Sequence, residues 1–286
     1  MFFRFRKGRI EYYCCIHLDS KLIKLIKGAN MRKYKLILVC FITTLLATTA
    51  SLASDFPRHS SSDTSSWIYN VRPAMKFGSD GTSCLPIAAV SPTGQANGGL
   101  NTSGKPAGDC RSTNLTQAYT RAVCQFKSGT WDLYCGVMYA YYFEKDQFLF
   151  FAGGHRHDWE HVMMWVKMPN YNMSQVTSQF LTVSAHGDYT HHDLRSNPSI
   201  KTKNDRRAHV YYHRIEGFFT NGMAAISNSS YEADEYVSYT SWNSLTSAQR
   251  NTLDTHDFGS ATLRLNDTHF TNIMRNNTPP GWPVSY

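Results

Sequence analysis

Between Gly153 and His161 the chain reads GGHRHDWEH, which packs three histidines and two carboxylates into nine residues. If a strand begins directly after the glycines, residues 156, 158 and 160 point one way and 155, 157, 159 and 161 the other. Asp158 and Glu160 then share a face. His155 can join them only if Gly153-Gly154 lets the chain turn back beforehand, a task for which glycine's access to positive φ suits it. With Asp146 folded over from the preceding Glu144-Lys145-Asp146, the cluster offers two or three carboxylates and one imidazole. Oxygen-dominated donors of this kind suit Ca²⁺ or Mg²⁺, with Mn²⁺ as a third candidate, whereas zinc or copper favours more nitrogen or sulfur. The competing reading is a charged loop in which Arg156 neutralises Asp158 and Glu160.

Strands are the elements that must position this cluster. Leu133 to Phe143, LYCGVMYAYYF, and His161 to Met168, HVMMWVKM, are dense in strand formers and short for buried helices. Gln179 to Ala185, His209 to His213 and Tyr236 to Trp242 are further strand candidates. Helical signals are few. Thr246-Ser247-Ala248-Gln249 has the spacing of a capping box ahead of Leu253, Asp267 could cap a short helix carrying Phe270, Ile273 and Met274, and Asn114 to Cys124 is a third candidate. Gly78 to Asp109, rich in glycine and proline, reads as loop. Strands separated by loops, with helices that do not alternate regularly with them, predict a mainly β fold, a β-sandwich with peripheral short helices. Trp131, Trp159, Trp165 and Trp242 are expected in that core, and Trp282, in the tail PPGWPVSY, outside it.

The 286 residues carry 29 basic and 21 acidic groups, but residues 1–53 hold 10 of the basic and 2 of the acidic, leaving 19 of each in the remainder. The basic pI therefore does not argue for nucleic acid as partner. Met31-Arg32-Lys33-Tyr34-Lys35, the apolar run Leu36 to Leu46 and the small residues up to Ala53 form the three-part layout of a secretory signal. We accordingly expect an over-long N-terminus at 1–30, a signal at 31–53, a loose segment at 54–66 and one domain at 67–286, exported from the cell. Once Cys14, Cys15 and Cys40 fall in the leader, four cysteines remain, and an even number in an oxidising compartment predicts two disulfides. Cys84 with Cys110 and Cys124 with Cys135 is the preferred pairing, because it closes two local loops without threading.

GHRHDWE at Gly154 to Glu160, with GVMYAYYFEKD at Gly136 to Asp146, resembles the signature of the necrosis- and ethylene-inducing peptide 1-like proteins, the NLP family. Weaker echoes are VSAHG at Val183 to Gly187, VYYH at Val210 to His213 and DFGSATLRLND at Asp257 to Asp267. The resemblance covers roughly Trp67 to Asn276, and four mature cysteines resemble the branch with a second disulfide. It implies a secreted cytolysin with an actinoporin- and lectin-like β-sandwich, acting at plant plasma membranes on glycosyl inositol phosphorylceramide sphingolipid headgroups through a divalent cation. Carried over by motif position, the ligands of that cation are Asp146, His155, Asp158 and Glu160, with His186 near the pocket. Glu144, a departure that could add a carboxylate near the metal, and His157, expected to face away from the ligands, are further candidates for contact with the headgroup. It implies no enzymatic activity and a monomer in solution.

Three departures bear on activity. The apolar insert Phe148 to Phe151 separates Asp146 from His155, Glu144 replaces the proline of the family's YFPKD, and Asn221-Gly222-Met223 stands where relatives commonly show Thr-His. If that histidine serves lysis, Met223 predicts a weak or noncytolytic protein. Two rivals follow: a sugar-binding, lectin-like protein without lysis, and a metal-dependent hydrolase, against which no GxSxG, HExxH or P-loop string occurs. His191-His192 and the Lys201, Lys203, Arg206, Arg207 group read as solvated loop. Peptide mapping of the nonreduced mature protein should show Cys84 joined to Cys110 and Cys124 to Cys135; a crossed linkage would refute the local-loop argument.

Overall fold

The computed structural model describes residues 2–7, 10–15, 65–78, 83–147, 153–197, 200, 202–203, 206–214, 221–226 and 236–286. The chain divides into two compact units, Met1–Ser51 and Leu52–Tyr286. In the first, β1 (Phe2–Lys7) and β2 (Ile10–Cys15) pair antiparallel. The expected secretory signal at 31–53 and the loose segment up to residue 64 lie outside the described residues. No helix among the described residues is long and apolar enough to cross a membrane.

The second unit is a sandwich of two sheets. The larger has the order β12-β4-β5-β6-β7-β8, built from β4 (Gln117–Phe126), β5 (Leu133–Asp146), β6 (His155–Met168), β7 (Thr177–Ala185), β8 (Asp188–Asp193) and β12 (Ser238–Ser241). Only the β12–β4 pair in it is parallel. The smaller sheet runs β11-β10-β3, from β3 (Ala74–Phe77), β10 (Arg207–Arg214) and β11 (Asn221–Ala225), with β9 (Thr202–Lys203) also on β10.

β5 explains why the central segment reads as an almost unbroken apolar run: every one of its residues is buried, on both faces of the sheet. Cys135, Val137, Tyr139, Tyr141 and Phe143 point between the sheets, where they meet Met75, Phe77, Val210 and Tyr212. Tyr134, Met138, Ala140 and Tyr142 point to the outer face. That face is covered by Leu253 of α2 (Ser247–Thr255), by Phe270 and Met274 of α3 (Phe270–Asn276), and by Trp242 and Trp282. α1 (Ser66–Asn70) adds Ile68 to the inter-sheet core, and its carbonyl accepts from the Tyr139 hydroxyl at 2.7 Å.

The capping box forms as its spacing predicts: Gln249 N donates to Thr246 Oγ1, and the Thr246 amide donates to Gln249 Oε1. Other expectations are corrected. Asn114 to Cys124 is not a helix. It forms a 3₁₀ turn (Thr113–Leu115) and then β4, because β5 offers a ladder from Ala118 onward and β12 a second one to Gln117–Thr120. Asp267 does not cap α3; it pairs with Arg121 at 2.8 Å and accepts from Trp242 Nε1, while Asn266 Oδ1 takes the His269 amide. Two tryptophans exchange roles. Trp131, on the β4–β5 turn, is 75% exposed, and Trp282 is buried against Tyr134 and Trp165 because the C-terminal tail folds back over the outer face. His191 sits on edge strand β8 with Nδ1 2.8 Å from Thr182 Oγ1, rather than in a loop.

Both expected disulfides are present, Cys84–Cys110 across 26 residues and Cys124–Cys135 across 11. The second joins directly opposed residues of β4 and β5, which the ladder already holds together. The first closes a segment that forms no strand ladder, held by the isolated bridges Ile87 to Thr116 and Val90 to Ala96 and by scattered backbone bonds such as Leu100 N to the Glu144 carbonyl. Loop entropy assigns ~3.5 kcal/mol to the longer link and ~3 kcal/mol to the shorter. Chemical denaturation should therefore show the Cys84→Ala/Cys110→Ala pair losing more stability than Cys124→Ala/Cys135→Ala; the reverse order would mean that the ladder, not the loop, depends on its crosslink.

Candidate functional site

The end of β5 and the start of β6 bring the signature residues together. Their register sets Asp146 opposite His155, Phe143 opposite Asp158 and Tyr141 opposite Glu160. Gly153 and Gly154 take φ of +85° and +87° as the chain enters β6. At Gly154 a Cβ would overlap the carbonyl oxygen of Asp146, so glycine is required there by close approach as well as by φ. The strand then departs from simple alternation at His157, whose φ is +60°. That left-handed residue lets His155 line the same cavity as Asp158 and Glu160, which strict alternation would have set on opposite faces. The turn expected at the glycines is thus shared with His157, a position at which sequence carries no glycine-like signal.

The cavity measures about 310 Å³ and is lined by Asp146, His155, Asp158, Glu160, His186 and Asn221 among others. Each carboxylate has a hydrogen-bond donor. Asp146 accepts from the Asn221 amide at 3.1 Å and from its Nδ2 at 2.5 Å, Asp158 accepts from Tyr212 Oη at 3.0 Å, and Glu160 accepts from Ser184 Oγ. Burial pushes all three acids above their ordinary range. For Asp158 the charge of Asp146 adds to that shift, and for Glu160 the charge of Asp158 does, while the Asn221 bonds and His155 oppose it at Asp146. His155 Nδ1 lies 2.6 Å from the His157 carbonyl. A carbonyl only accepts, so Nδ1 carries the proton and the neutral ring keeps its lone pair on Nε2, the form that a cation requires. The donor chemistry, three carboxylates and one oriented imidazole, fits a hard divalent ion. Among the described residues, however, no three His, Cys, Asp or Glu side chains are placed closely enough to hold a metal ion as they stand.

His186, at φ +54° in the β7–β8 turn, lines this cavity. Two other expected contributors are not brought to it. Glu144 is buried by the Asn97 loop, and desolvation lifts its carboxyl to about 7. His157 packs on the outer face against Phe258 and His256, shares a 2.6 Å bond with Tyr142 Oη, and is held down to about 4 by burial and then by His256. Arg156 neutralises neither acid; it donates to the Gly98 carbonyl at 2.8 Å and to Asn101. Met223 is also corrected. It is 2% exposed in the inter-sheet core opposite Tyr212, and it is Asn221, two residues earlier on the same face of β11, that reaches the acids. Asn221, Tyr212 and Ser184 were readable only as members of quoted blocks, since nothing local marks a strand amide or hydroxyl as the partner of a distant carboxylate.

Of the basic group at 201–207, Arg207 lies in β10 and donates to the Arg72 carbonyl at 3.1 Å, and Arg206 donates to the Ser174 carbonyl. Both border an open cleft with Asn70 and Arg72.

The comparisons with known proteins agree with this architecture. The family described as necrosis inducing protein (NPP1) matches residues 67–277. NLP effector protein 2 of Phytophthora capsici is 34% identical over 207 residues, covering 70% of this chain and 76% of that protein. The solved structure of NLPPya in complex with mannosamine superposes with a TM-score of 0.60 at 26% identity, over 76% of this chain and 92% of that one. The fold alone is shared with non-toxic HaNLP3, with a TM-score of 0.65 at 24% identity over 82% of this chain and all of that one. A family match across the whole sandwich, carried at its centre by the strands that build the carboxylate pocket, shows that this chain belongs to the necrosis-inducing protein (NPP1) family.

Proposed function

We propose that this chain is a secreted NLP-type effector that docks on plant plasma-membrane sphingolipid headgroups and damages the bilayer without catalysing bond cleavage. The observation that carries this reading is the convergence of Asp146, His155, Asp158 and Glu160 on one cavity open to the His186 turn. In the proposed site those four residues hold a divalent cation, Ca²⁺ or Mg²⁺. When bound, such an ion supplies charge neutralisation for the buried acids and vacant positions for sugar hydroxyls. His155 presents Nε2, Tyr212 and Ser184 hold the carboxylates in place, and Asn221 keeps Asp146 at the rim. The complexes of NLPPya with mannosamine and with glucosamine support an amino sugar as the kind of group that this site takes.

A sugar-binding protein without lysis is the second reading, and Asn221 favours it. Its backbone N–H and Nδ2 both donate to Asp146, which partly satisfies a carboxylate that the lytic reading gives to the cation.

Dye release from vesicles with and without glycosyl inositol phosphorylceramide, in calcium and then in chelator, tests the proposal. Leakage that needs both lipid and cation supports the effector reading. Binding without leakage supports the lectin, and product formation from the glycolipid would indicate the hydrolase instead. In calorimetric titration Asp158→Ala and Glu160→Ala should each abolish calcium binding while the far-UV spectrum is retained, and His157→Ala should cost less than either, because its side chain lies outside the pocket and acts on it only through the kink that places His155. Calcium affinity unchanged in Asp158→Ala would remove that carboxylate from the site. Gly154→Ala should cost at least ~2 kcal/mol in denaturant unfolding, through its positive φ and the clash with Asp146. It should also weaken calcium binding by displacing His155; wild-type stability and affinity together would show that the strand entry tolerates a side chain.

A further inference from the structure

At the far end of β5 and β6 from the pocket, a group of apolar side chains stands in the open. Phe126, Trp131, Tyr171 and Met173 are 45%, 75%, 53% and 44% exposed. The Phe126 ring lies 6.3 Å from Trp131 and 5.5 Å from Tyr171, so these three rings form one cluster, with Met173 exposed two residues beyond Tyr171. Two connections build it, the β4–β5 turn and the β6–β7 link. Asp132 ties them together, accepting from the Asn170 amide at 3.0 Å and pairing with Lys167 at 2.6 Å. Left-handed φ at Asn170 and Tyr171 completes the link. An exposed cluster of this kind on a fixed turn calls for a covering group.

The chain carries a candidate cover inside the cluster. Six Asn-x-Ser/Thr sequons occur, at Asn101, Asn114, Asn172, Asn228, Asn266 and Asn276. Asn266 is 5% exposed, with Oδ1 on the His269 amide, so the folded protein closes it; Asn228 lies outside the described residues. Asn101 is engaged by the Arg156 guanidinium. Asn101, Asn114 and Asn276 are exposed as Asn172 is, but of the described sequons it is Asn172-Met173-Ser174 that directly follows a ring of the cluster, Tyr171. Its Oδ1 accepts from Ser174 N at 3.0 Å and from Ser174 Oγ at 2.7 Å, while Nδ2 makes no hydrogen bond among the described residues. Nδ2 is the atom that N-glycosylation modifies.

We propose that Asn172 is an N-glycosylation site whose first sugars lie over the Phe126, Trp131 and Tyr171 rings. In the transfer, Nδ2 attacks C1 of the oligosaccharide on a polyprenyl diphosphate donor of a eukaryotic secretory pathway. The C1–N bond forms, the C1–O bond to phosphate breaks, the lipid diphosphate leaves, and one Nδ2 proton is released. The inference rests on the secretion half of the proposed function and not on the pocket. A tethered sugar meets the rings at high effective concentration, and its C–H face packs against the electron-rich ring faces. The attachment point is at the opposite end of β5 and β6 from Asp146 and His155, so the glycan leaves the carboxylate pocket open.

The test uses full-length protein secreted from a eukaryotic host. Enzymatic glycan release followed by peptide mapping should find Asn172 converted to aspartate and Asn266 unchanged; an unmodified Asn172 in protein glycosylated elsewhere would overturn the proposal. Trp131 reports the cover, since Trp159, Trp165, Trp242 and Trp282 are buried and Trp67 is half-buried against the inter-sheet core. Acrylamide quenching should rise roughly twofold in Ser174→Ala, which removes the sequon but keeps Asn172, if the glycan screens about half of the Trp131 ring. Ser174→Thr, which preserves the sequon, should quench like wild type, and Trp131→Phe should abolish the difference. Equal quenching of glycosylated wild type and Ser174→Ala would show a glycan that does not lie on the cluster. Tighter binding of Ser174→Ala to phosphatidylserine vesicles, without that change in quenching, would assign the cluster to a bilayer instead.

Discussion

Three carboxylates buried at one end of a sandwich repel one another, and the rest of the site is arranged around that repulsion. Asp158 and Glu160 sit on a central strand of the large sheet, where water cannot reach them freely, and Asp146 faces them from the neighbouring strand. Unpaired, such groups would give up their charge and open the structure. The fold answers with a donor for each: Tyr212 and Asn221 from the smaller sheet, and Ser184 from β7. The pocket therefore depends on both sheets. The inter-sheet core, with Phe143 stacked on Tyr212 at a centroid distance of 3.8 Å, fixes Tyr212 at the distance its bond to Asp158 requires.

Much of this was legible in the residues because it follows from short-range rules. β5 and β6 announce themselves by composition, the capping box of α2 by spacing, and the disulfides by the shortness of the loops they close. Asp158 and Glu160 share a face through simple alternation. The positions that misled are those governed by distant chain. Trp131 and Trp282 are both large aromatics in turn-like surroundings, and only the path of the C-terminal tail decides which of them is covered. Asn114 to Cys124 has apolar spacing compatible with a helix, yet β5 pairs with it from Ala118 onward and β12 with Gln117–Thr120. Met223 carries the same lesson on a smaller scale, because the two-residue period of β11 decides that Asn221 lies by Asp146 while Met223 lies deeper in the core.

His157 shows where sequence and geometry part at the site itself. Read as a regular strand, GHRHDWE sets His155 and His157 on one face and Asp158 on the other. A single positive φ at His157 breaks that pattern: His155 joins the acids, while His157 enters an aromatic cluster with Tyr142 and Phe258. A left-handed non-glycine residue costs free energy, on the order of 1 kcal/mol. The packing of the imidazole and its bond to Tyr142 offset that cost, so the outer core helps to hold a kink whose purpose lies at the pocket. The two cores are in this sense coupled through one residue.

The same electrostatics links ligand binding to stability in the proposed function. An ion that binds only the folded pocket stabilises it in proportion to ln(1+[L]/Kd), and it does so by relieving the repulsion among Asp146, Asp158 and Glu160. Every hydrogen bond that already relieves those acids reduces what the ion can add. Asn221, with two donors on Asp146, is the strongest such substitute in this chain. A neutral amide satisfies the carboxylate in the absence of a cation and competes with it when the cation arrives. In the proposed site the side chain at this place on β11 would thus set a balance between a pocket that is stable when empty and one that binds its ion tightly.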